Sequence, residues 1–203
     1  MSKVIVFYIH PGQPYSSNNR ALQASLDSVS GIERVDLYAQ YPRFNIDIPV
    51  EQDRLLRNDF FIFQFPIFWY SCPSLLKEWL DLVLEYGFAY GDGGDRLKGK
   101  KMMLSLTTGG HRDAYSAGGH QGHPLPSFLL PFQQTANLCN MQYFPPYVLF
   151  DALQAQPSVV QQHATGYARL VESLRDNTFD EEAAAHLAMI HSEDLPTLIG
   201  TRR

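Results

Sequence analysis

The chain lacks most of the features that mark a special class of protein. Its 203 residues hold two cysteines, Cys72 and Cys139, too few and too far apart for a disulfide framework. Charged residues make up 18% and the formal net charge is −5, with no strong run of one sign. The basic footprint that nucleic acid or an anionic membrane surface requires is therefore missing. No apolar run approaches membrane-spanning length. Met1-Ser2-Lys3 leads straight into Val4-Ile5-Val6-Phe7-Tyr8-Ile9 without a leader core or cleavage site, so the expectation is no signal peptide and a cytoplasmic location. Neither G-x-G-x-x-G nor G-x-x-x-x-G-K-[ST] occurs, which excludes the dinucleotide fingerprint and the P-loop. No repeat, low-complexity tract or linker divides the chain. The reading is one α/β domain over residues 1–203, with a core of about 3–176 and a C-terminal extension of about 177–203.

What is present is apolar and aromatic. Apolar residues reach 45% and aromatics 13%, enough for an ordinary aromatic core and also suited to a flat stacked ligand. The stretch Phe60 to Tyr86 organises the rest. Phe60-Phe61-Ile62-Phe63 reads as a strand buried on both faces, broken at Pro66 into an exposed turn, Ile67-Phe68-Trp69-Tyr70. Ser71 suits a helix N-cap and Pro73 the first helical turn. Leu76, Trp79, Leu80, Val83 and Leu84 then recur at helical spacing. Two large aromatics at the carboxyl end of a parallel strand stand where open α/β sheets keep their ligands.

In chain order, Lys3 to Ile9 reads as the first, central strand. It ends in a polar loop, His10 to Asn19, whose Ser16-Ser17-Asn18-Asn19 cluster opens a helix carrying Leu22, Leu26 and Val29 and closed by Gly31. A strand, a polar loop and a helix N-terminus make an anion site, although such clusters most often only cap helices. Ile32 to Tyr38 reads as an edge strand, 39–49 as an irregular loop with apolar Phe44, Ile46 and Ile48, and Glu51 to Arg57 as a short helix. Gly87 to Lys101 reads as a mobile glycine-rich loop near the site. Met102 to Leu106 is another buried strand, ending in Thr107-Thr108-Gly109-Gly110, where glycines permit close backbone approach to a ligand. The following segment holds His111, Asp113, Tyr115, His120 and His123, without a standard metal-ligand spacing, so no metal is assigned. Ser127 to Asn140 reads as a helix interrupted early by Pro131, and Gln142 to Phe150 as holding a last strand, with Pro145-Pro146 placing a bulge or edge. Residues 154–176 form a core helix with Val160, Ala164, Tyr167, Leu170, Val171 and Leu174 inward, Asp180 to His191 a further amphipathic helix, and Thr201-Arg202-Arg203 a loosely held tail. Cys72 lies near a helix N-terminus, a setting that can lower a thiol pKa, but reads as an inert small residue; Cys139 reads as core.

Strands alternate with helices, which argues a parallel sheet. Loops His10–Asn19, Ile67–Tyr70 and Thr107–Gly110 leave the same sheet edge. In a flavodoxin-like five-stranded sheet of order 2-1-3-4-5 they follow strands 1, 3 and 4, around the switch point where FMN binds.

These residues resemble the NAD(P)H:quinone oxidoreductases. The matching motifs are His10-Pro11 with Ser16-Ser17-Asn18-Asn19, Asp36-Leu37-Tyr38, Tyr41-Pro42, and Phe44-Asn45-Ile46-Asp47-Ile48. Further along come Pro66 with Trp69-Tyr70-Ser71, Leu76-Lys77, Trp79, Asp81, Ala89-Tyr90-Gly91, Leu97 with Gly99-Lys100, and Thr107-Thr108-Gly109-Gly110. The chain is most similar to the bacterial branch that includes ancillary flavoproteins of glutathione-gated potassium efflux. The resemblance implies a flavodoxin-like homodimer holding FMN, with FAD the alternative. It implies His10 and Ser16 to Asn19 on the phosphate, Ile67, Phe68, Trp69 and Tyr70 over the flavin ring, and Thr107, Thr108, Gly109 and Gly110 at its edge. Tyr115 and His120 fall where the animal relatives carry a tyrosine and a histidine that assist flavin reduction. Phe68 stands where that turn commonly has glutamine, and the histidine spacing is one residue shorter. The implied activity is ping-pong transfer from NAD(P)H through flavin to a quinone. A second reading is a regulatory subunit of a membrane potassium-efflux transporter, peripheral at the inner membrane. A phosphorylation-controlled receiver domain would need acidic residues after the first strand, where His10-Pro11 stands.

Overall fold

The computed structural model describes residues 1–12 and 16–200. Gln13, Pro14 and Tyr15 of the first loop, and the tail Thr201 to Arg203, lie outside the described residues.

Four strands are continuous: β1 (Val4–Tyr8), β2 (Glu33–Asp36), β3 (Phe60–Pro66) and β4 (Lys101–Thr107). The fifth strand position is split by Pro145-Pro146 into β5 (Gln142–Tyr143) and β6 (Tyr147–Leu149), both parallel to β4 on its outer edge. The order is β2-β1-β3-β4-β5, all parallel, as expected of a flavodoxin-like sheet. Proline has no N–H to give the ladder, so the break falls on the edge strand, where it does least harm.

Alternation along the strands sends side chains into two cores. Ile5, Phe7, Phe61, Phe63, Phe65, Leu104 and Leu106 face one layer, built from α2 (Leu37–Gln40), α3 (Ile48–Arg57), α4 (Ser74–Val83), α5 (Leu125–Phe128) and α6 (Leu130–Leu138). Val4, Val6, Phe60, Ile62 and Met103 face the other, where α1 (Ser17–Ser25) lies beside α7 (Pro157–Asp176). Every residue of β3 is buried, which is why that strand reads as an unbroken apolar run. The expected inward positions of α7 are all buried, and the helix stops at Asn177 in the left-handed region, with Thr178 N–H donating to the Ser173 carbonyl at 2.9 Å. Beyond it, α8 (Glu181–Ala185), α9 (Leu195–Leu198) and the segment between them pack Ala184, Ile190, Leu195 and Leu198 onto the second core.

Several expectations are corrected. Leu37 and Tyr38 are helical rather than strand, because the Asp36 carboxylate accepts from Ala39 N–H and caps α2. Asp47 does the same for α3, which therefore begins at Ile48 and takes in Pro49. Ser71 does not cap α4: its N–H and carbonyl pair with Phe68, and Pro73 holds the cap position. Residues 87–100 form a run of hydrogen-bonded turns. Ala89 and Leu97 are buried there, and a Cβ on Gly94 would sit 1.9 Å from the Tyr90 carbonyl oxygen. Asp180 to His191 contributes only the short α8.

Candidate functional site

The carboxyl ends of β1, β3 and β4 open onto a cleft of about 750 Å³, within the range of small-ligand sites. Of the anticipated residues, His10, Ser16, Ser17, Asn18, Asn19, Ile67, Phe68, Thr107, Thr108 and Gly109 all line it, with Pro11, Gly12, Pro66, Ala152 and Leu153. Trp69, Tyr70 and Gly110 are not among the lining residues and stand next to those that are.

Asn19 ties two of the loops together. It is 3% exposed, and its Nδ2 donates to Ser16 Oγ and to Thr107 Oγ1, each at 3.1 Å. The Gln64 side chain in turn donates to the Asn19 carbonyl at 3.3 Å. Asn19 Oδ1 has no partner among the described residues, although buried polar atoms nearly always find one. The first loop and the end of β4 are thus fixed relative to each other by buried polar side chains.

The cleft fits an anion at this end. Helix α1 carries no side-chain cap and no acidic residue in its first turn, so its leading N–H groups remain available. His10 Nδ1 accepts from Gly12 N–H at 3.0 Å, which leaves Nε2 to carry the proton and donate. Burial lowers the His10 pKa below its ordinary value, against an opposing pull from Asp36. Hydroxyls of Ser16 and Ser17 and the amide of Asn18 add donors, and no lining residue is a carboxylate.

At the other end, Phe68 N–H and carbonyl pair with Ser71 across a two-residue turn in which Trp69 and Tyr70 have φ of +49° and +64°. Positive φ at both central residues is the geometry of tight hairpin turns, normally filled by Asn-Gly. Two bulky side chains there carry roughly 1–2 kcal/mol of strain each. Trp69 is 93% exposed. The Tyr70 ring stacks on Phe128 at 5.2 Å, and the Phe68 ring meets His10 edge-on at 6.0 Å. Strain of this kind persists where a function maintains it.

The Thr107–Gly110 turn is clamped from outside the anticipated set. Thr108 N–H donates to the Leu149 carbonyl, Ala152 N–H to the Thr108 carbonyl at 2.8 Å, and Asp151 N–H to the Gly110 carbonyl at 3.0 Å. Asn18 Nδ2 donates to the Ala152 carbonyl, joining the first loop to the loop after β6. Ala152 and Leu153 carry no chemical signature. Only their place after a parallel strand, at the same sheet edge, could have marked them.

Tyr115 packs beside this turn: a Cβ on Gly110 would lie 3.1 Å from its ring, which sits between Phe128 and Phe150 at 6.1 and 5.7 Å. Burial raises its pKa, with the Thr108 side chain pulling the other way. His120 is exposed on a loop that doubles back, Gln121 N–H donating to the Ala114 carbonyl at 3.0 Å. His123 faces Phe128 edge-on at 6.1 Å. Among the described residues no group of three or more His, Cys, Asp or Glu is placed to hold a metal. Burial pushes the Cys72 thiol up rather than down, and Cys139 up to about 11, so neither is primed as a nucleophile.

This fold and this sheet-edge cleft define a flavodoxin-like protein. The sequence profile of the family described as flavodoxin-like fold matches residues 2–172, so the chain belongs to that family. Within it, the relatives at 40% identity and above include potassium-efflux ancillary proteins. It is 42% identical over 171 residues to the glutathione-regulated potassium-efflux system ancillary protein KefG of Yersinia enterocolitica, covering 84% of this chain and 93% of that one. The general stress protein 14 of Treponema denticola, solved in complex with FMN, is 35% identical with a TM-score of 0.80, over 85% of this chain and 99% of that one. An NADPH-quinone reductase from P. pentosaceus is 27% identical with a TM-score of 0.74, over 83% of this chain and 97% of that one. No helix among the described residues is long and apolar enough to cross a membrane.

Proposed function

We propose that this chain is an FMN-dependent NAD(P)H:quinone oxidoreductase. The observation that carries the proposal is the cleft itself, uncapped helix and neutral hydrogen-bond donors at one end, aromatic turn at the other, in a chain whose relative was solved with FMN. When bound, the flavin would supply two-electron hydride chemistry, accepting from NAD(P)H and donating to a quinone or similar flat acceptor in ping-pong order. His10 Nε2–H, the hydroxyls and amides of Ser16 to Asn19 and the leading N–H groups of α1 would hold the phosphate. Ile67 to Tyr70 would cover the ring, and Thr107 to Gly110 would present backbone donors to its edge. The Tyr115 hydroxyl, kept protonated by burial, would deliver a proton there with His120. Residues 3–176 form the core of a single domain in this reading, in a cytoplasmic homodimer.

The test is an absorbance spectrum of purified protein given FMN, then NADPH, then a small quinone. Bands that bleach with NADPH and return with quinone support the reading. Protein that stays colourless with both FMN and FAD overturns it.

The name of the 42% identical relative favours a second reading, in which the same fold serves as the ancillary subunit of a potassium-efflux transporter. Co-purification with such a transporter from membranes would support it. Full reductase activity together with absence from the membrane fraction would count against it.

A further inference from the structure

The family profile ends at residue 172, yet the chain continues through a folded segment that reaches back to the Tyr115 loop. Ile190 docks onto β6 like one residue of an added strand. Its N–H donates to the Pro146 carbonyl at 2.8 Å, and its carbonyl accepts from Val148 N–H at 3.2 Å. Helix α7 makes room with a glycine for both β6 and this segment: a Cβ on Gly166 would lie 2.6 Å from the Tyr147 hydroxyl, 3.0 Å from Leu195 and 3.3 Å from Ser192. Glycine in a helix interior costs about 1 kcal/mol, so its place there is accounted for by what packs on it. From this anchored base two side chains extend toward the loop. The His191 ring lies 5.9 Å from Phe150, whose other neighbour is Tyr115 at 5.7 Å. Glu193 pairs with Arg112 at 3.6 Å, within the 3₁₀ turn Arg112–Ala114 that leads directly into Tyr115. The His191 backbone is itself fixed, its N–H donating to the Asp194 carboxylate at 2.8 Å.

We propose that residues 190–194 are a positioning element for Tyr115, with His191 acting through Phe150 and Glu193 through Arg112 to hold the tyrosine ring against the Thr108–Gly110 wall of the cleft. The ion pair is exposed, and such pairs contribute little, so the ring contact carries most of the effect. Because Tyr115 stands beside the cleft, this segment sets how tightly a flat acceptor is gripped; that part rests on the reductase reading. His191 is then a specificity-determining residue that need not touch the acceptor, and acceptor preference varies with a segment outside the family profile.

The experiment compares the full chain with its His191→Ala, His191→Phe and Glu193→Ala variants. Backbone amide exchange is measured for residues 111–116 without flavin, and steady-state kinetics are measured with FMN, NADPH and a benzoquinone. His191→Ala should speed exchange at Ala114 and Tyr115 and raise the quinone KM about 3- to 10-fold, the scale of one lost aromatic contact. His191→Phe keeps a ring and should restore both, while Glu193→Ala, exposed and harmless to folding, should give a smaller change in the same direction. Unchanged exchange at 111–116 in both alanine variants overturns the proposal, as does a His191→Phe variant that behaves like His191→Ala. If the protein proves to hold no flavin, the kinetic arm falls with the reductase reading, and the exchange arm still decides whether the extension braces the loop.

Discussion

His163 on α7 gives a pH dependence that can be worked through from the structure. The imidazole is 3% exposed and stacks on Tyr147 at 4.1 Å, with ring planes 15° apart, and its Nε2 has no partner among the described residues. Burial, with a smaller contribution from nearby His191, lowers its pKa from 6.5 to about 3. In the unfolded chain this histidine takes up a proton as the pH drops below 6.5; in the folded chain it stays neutral down to about 3. The unfolded state therefore binds the extra proton throughout that window, and stability falls as pH falls. The stability present above pH 6.5 is lost progressively toward pH 3. By pH 4 the loss from this one group is on the order of 3 kcal/mol, since a tenfold change in proton affinity is about 1.4 kcal/mol. The assay is urea unfolding at fixed pH values from 7.5 to 4, without added flavin, on the wild type and on His163→Phe, which keeps the ring and removes the titration. Wild type should lose about 3 kcal/mol more than the variant, a midpoint difference of roughly 1–2 M urea. Parallel pH profiles for the two would refute the reasoning, because the imidazole would then be charged or solvated in the folded protein. His163→Leu serves as a second comparison if the larger ring does not fit.

Glu51 is fully buried and holds α3 against α4, accepting from Tyr41 Oη at 2.6 Å and Trp79 Nε1 at 3.0 Å beside Arg54 at 3.2 Å. Glu51→Ala should cost about 3–5 kcal/mol in urea unfolding, because it strands three polar partners. Replacing Trp69-Tyr70 by Asn-Gly relieves the left-handed backbone at both residues and loses the Tyr70–Phe128 stacking, for a net gain in stability of about 1–2 kcal/mol, while weakening FMN binding in a fluorescence titration. Asn19→Leu removes the bond to Ser16 within the first loop and the bond to Thr107 at the end of β4, and should weaken FMN about tenfold or more, each bond being worth roughly 1 kcal/mol. An unchanged dissociation constant would detach Asn19 from the site.

Much of this was legible in the sequence because the strands are buried on both faces. β3 and β4 announce themselves as apolar runs, and order follows once two polar loops and an aromatic turn must share one edge. The proline pair at 145–146 marked a bulge or edge, and the strand there is in fact split in two. Other features gave no such signal. Asp36 and Asp47 cap helices, but an aspartate beside apolar residues looks the same in a strand end or a loop, so α2 was hidden and α3 began late. Trp69 and Tyr70 adopt a backbone that glycine and asparagine advertise and large aromatics do not. Glu51 and His163 sit on helices where polar residues ordinarily face water, and only their tertiary partners reveal them as buried. Ala152 and Leu153 enter the cleft through backbone position alone. The link from Gly166 and Ile190 to the Tyr115 loop depends on contacts between segments far apart in the chain.

The measurement closest to the central claim is an FMN titration of the purified protein followed by NADPH and then a benzoquinone, read as flavin absorbance. The account predicts stoichiometric binding, bleaching with NADPH and recovery with quinone, with binding weakened in Asn19→Leu. FMN that remains free in solution at concentrations where the wild type should be saturated would contradict it.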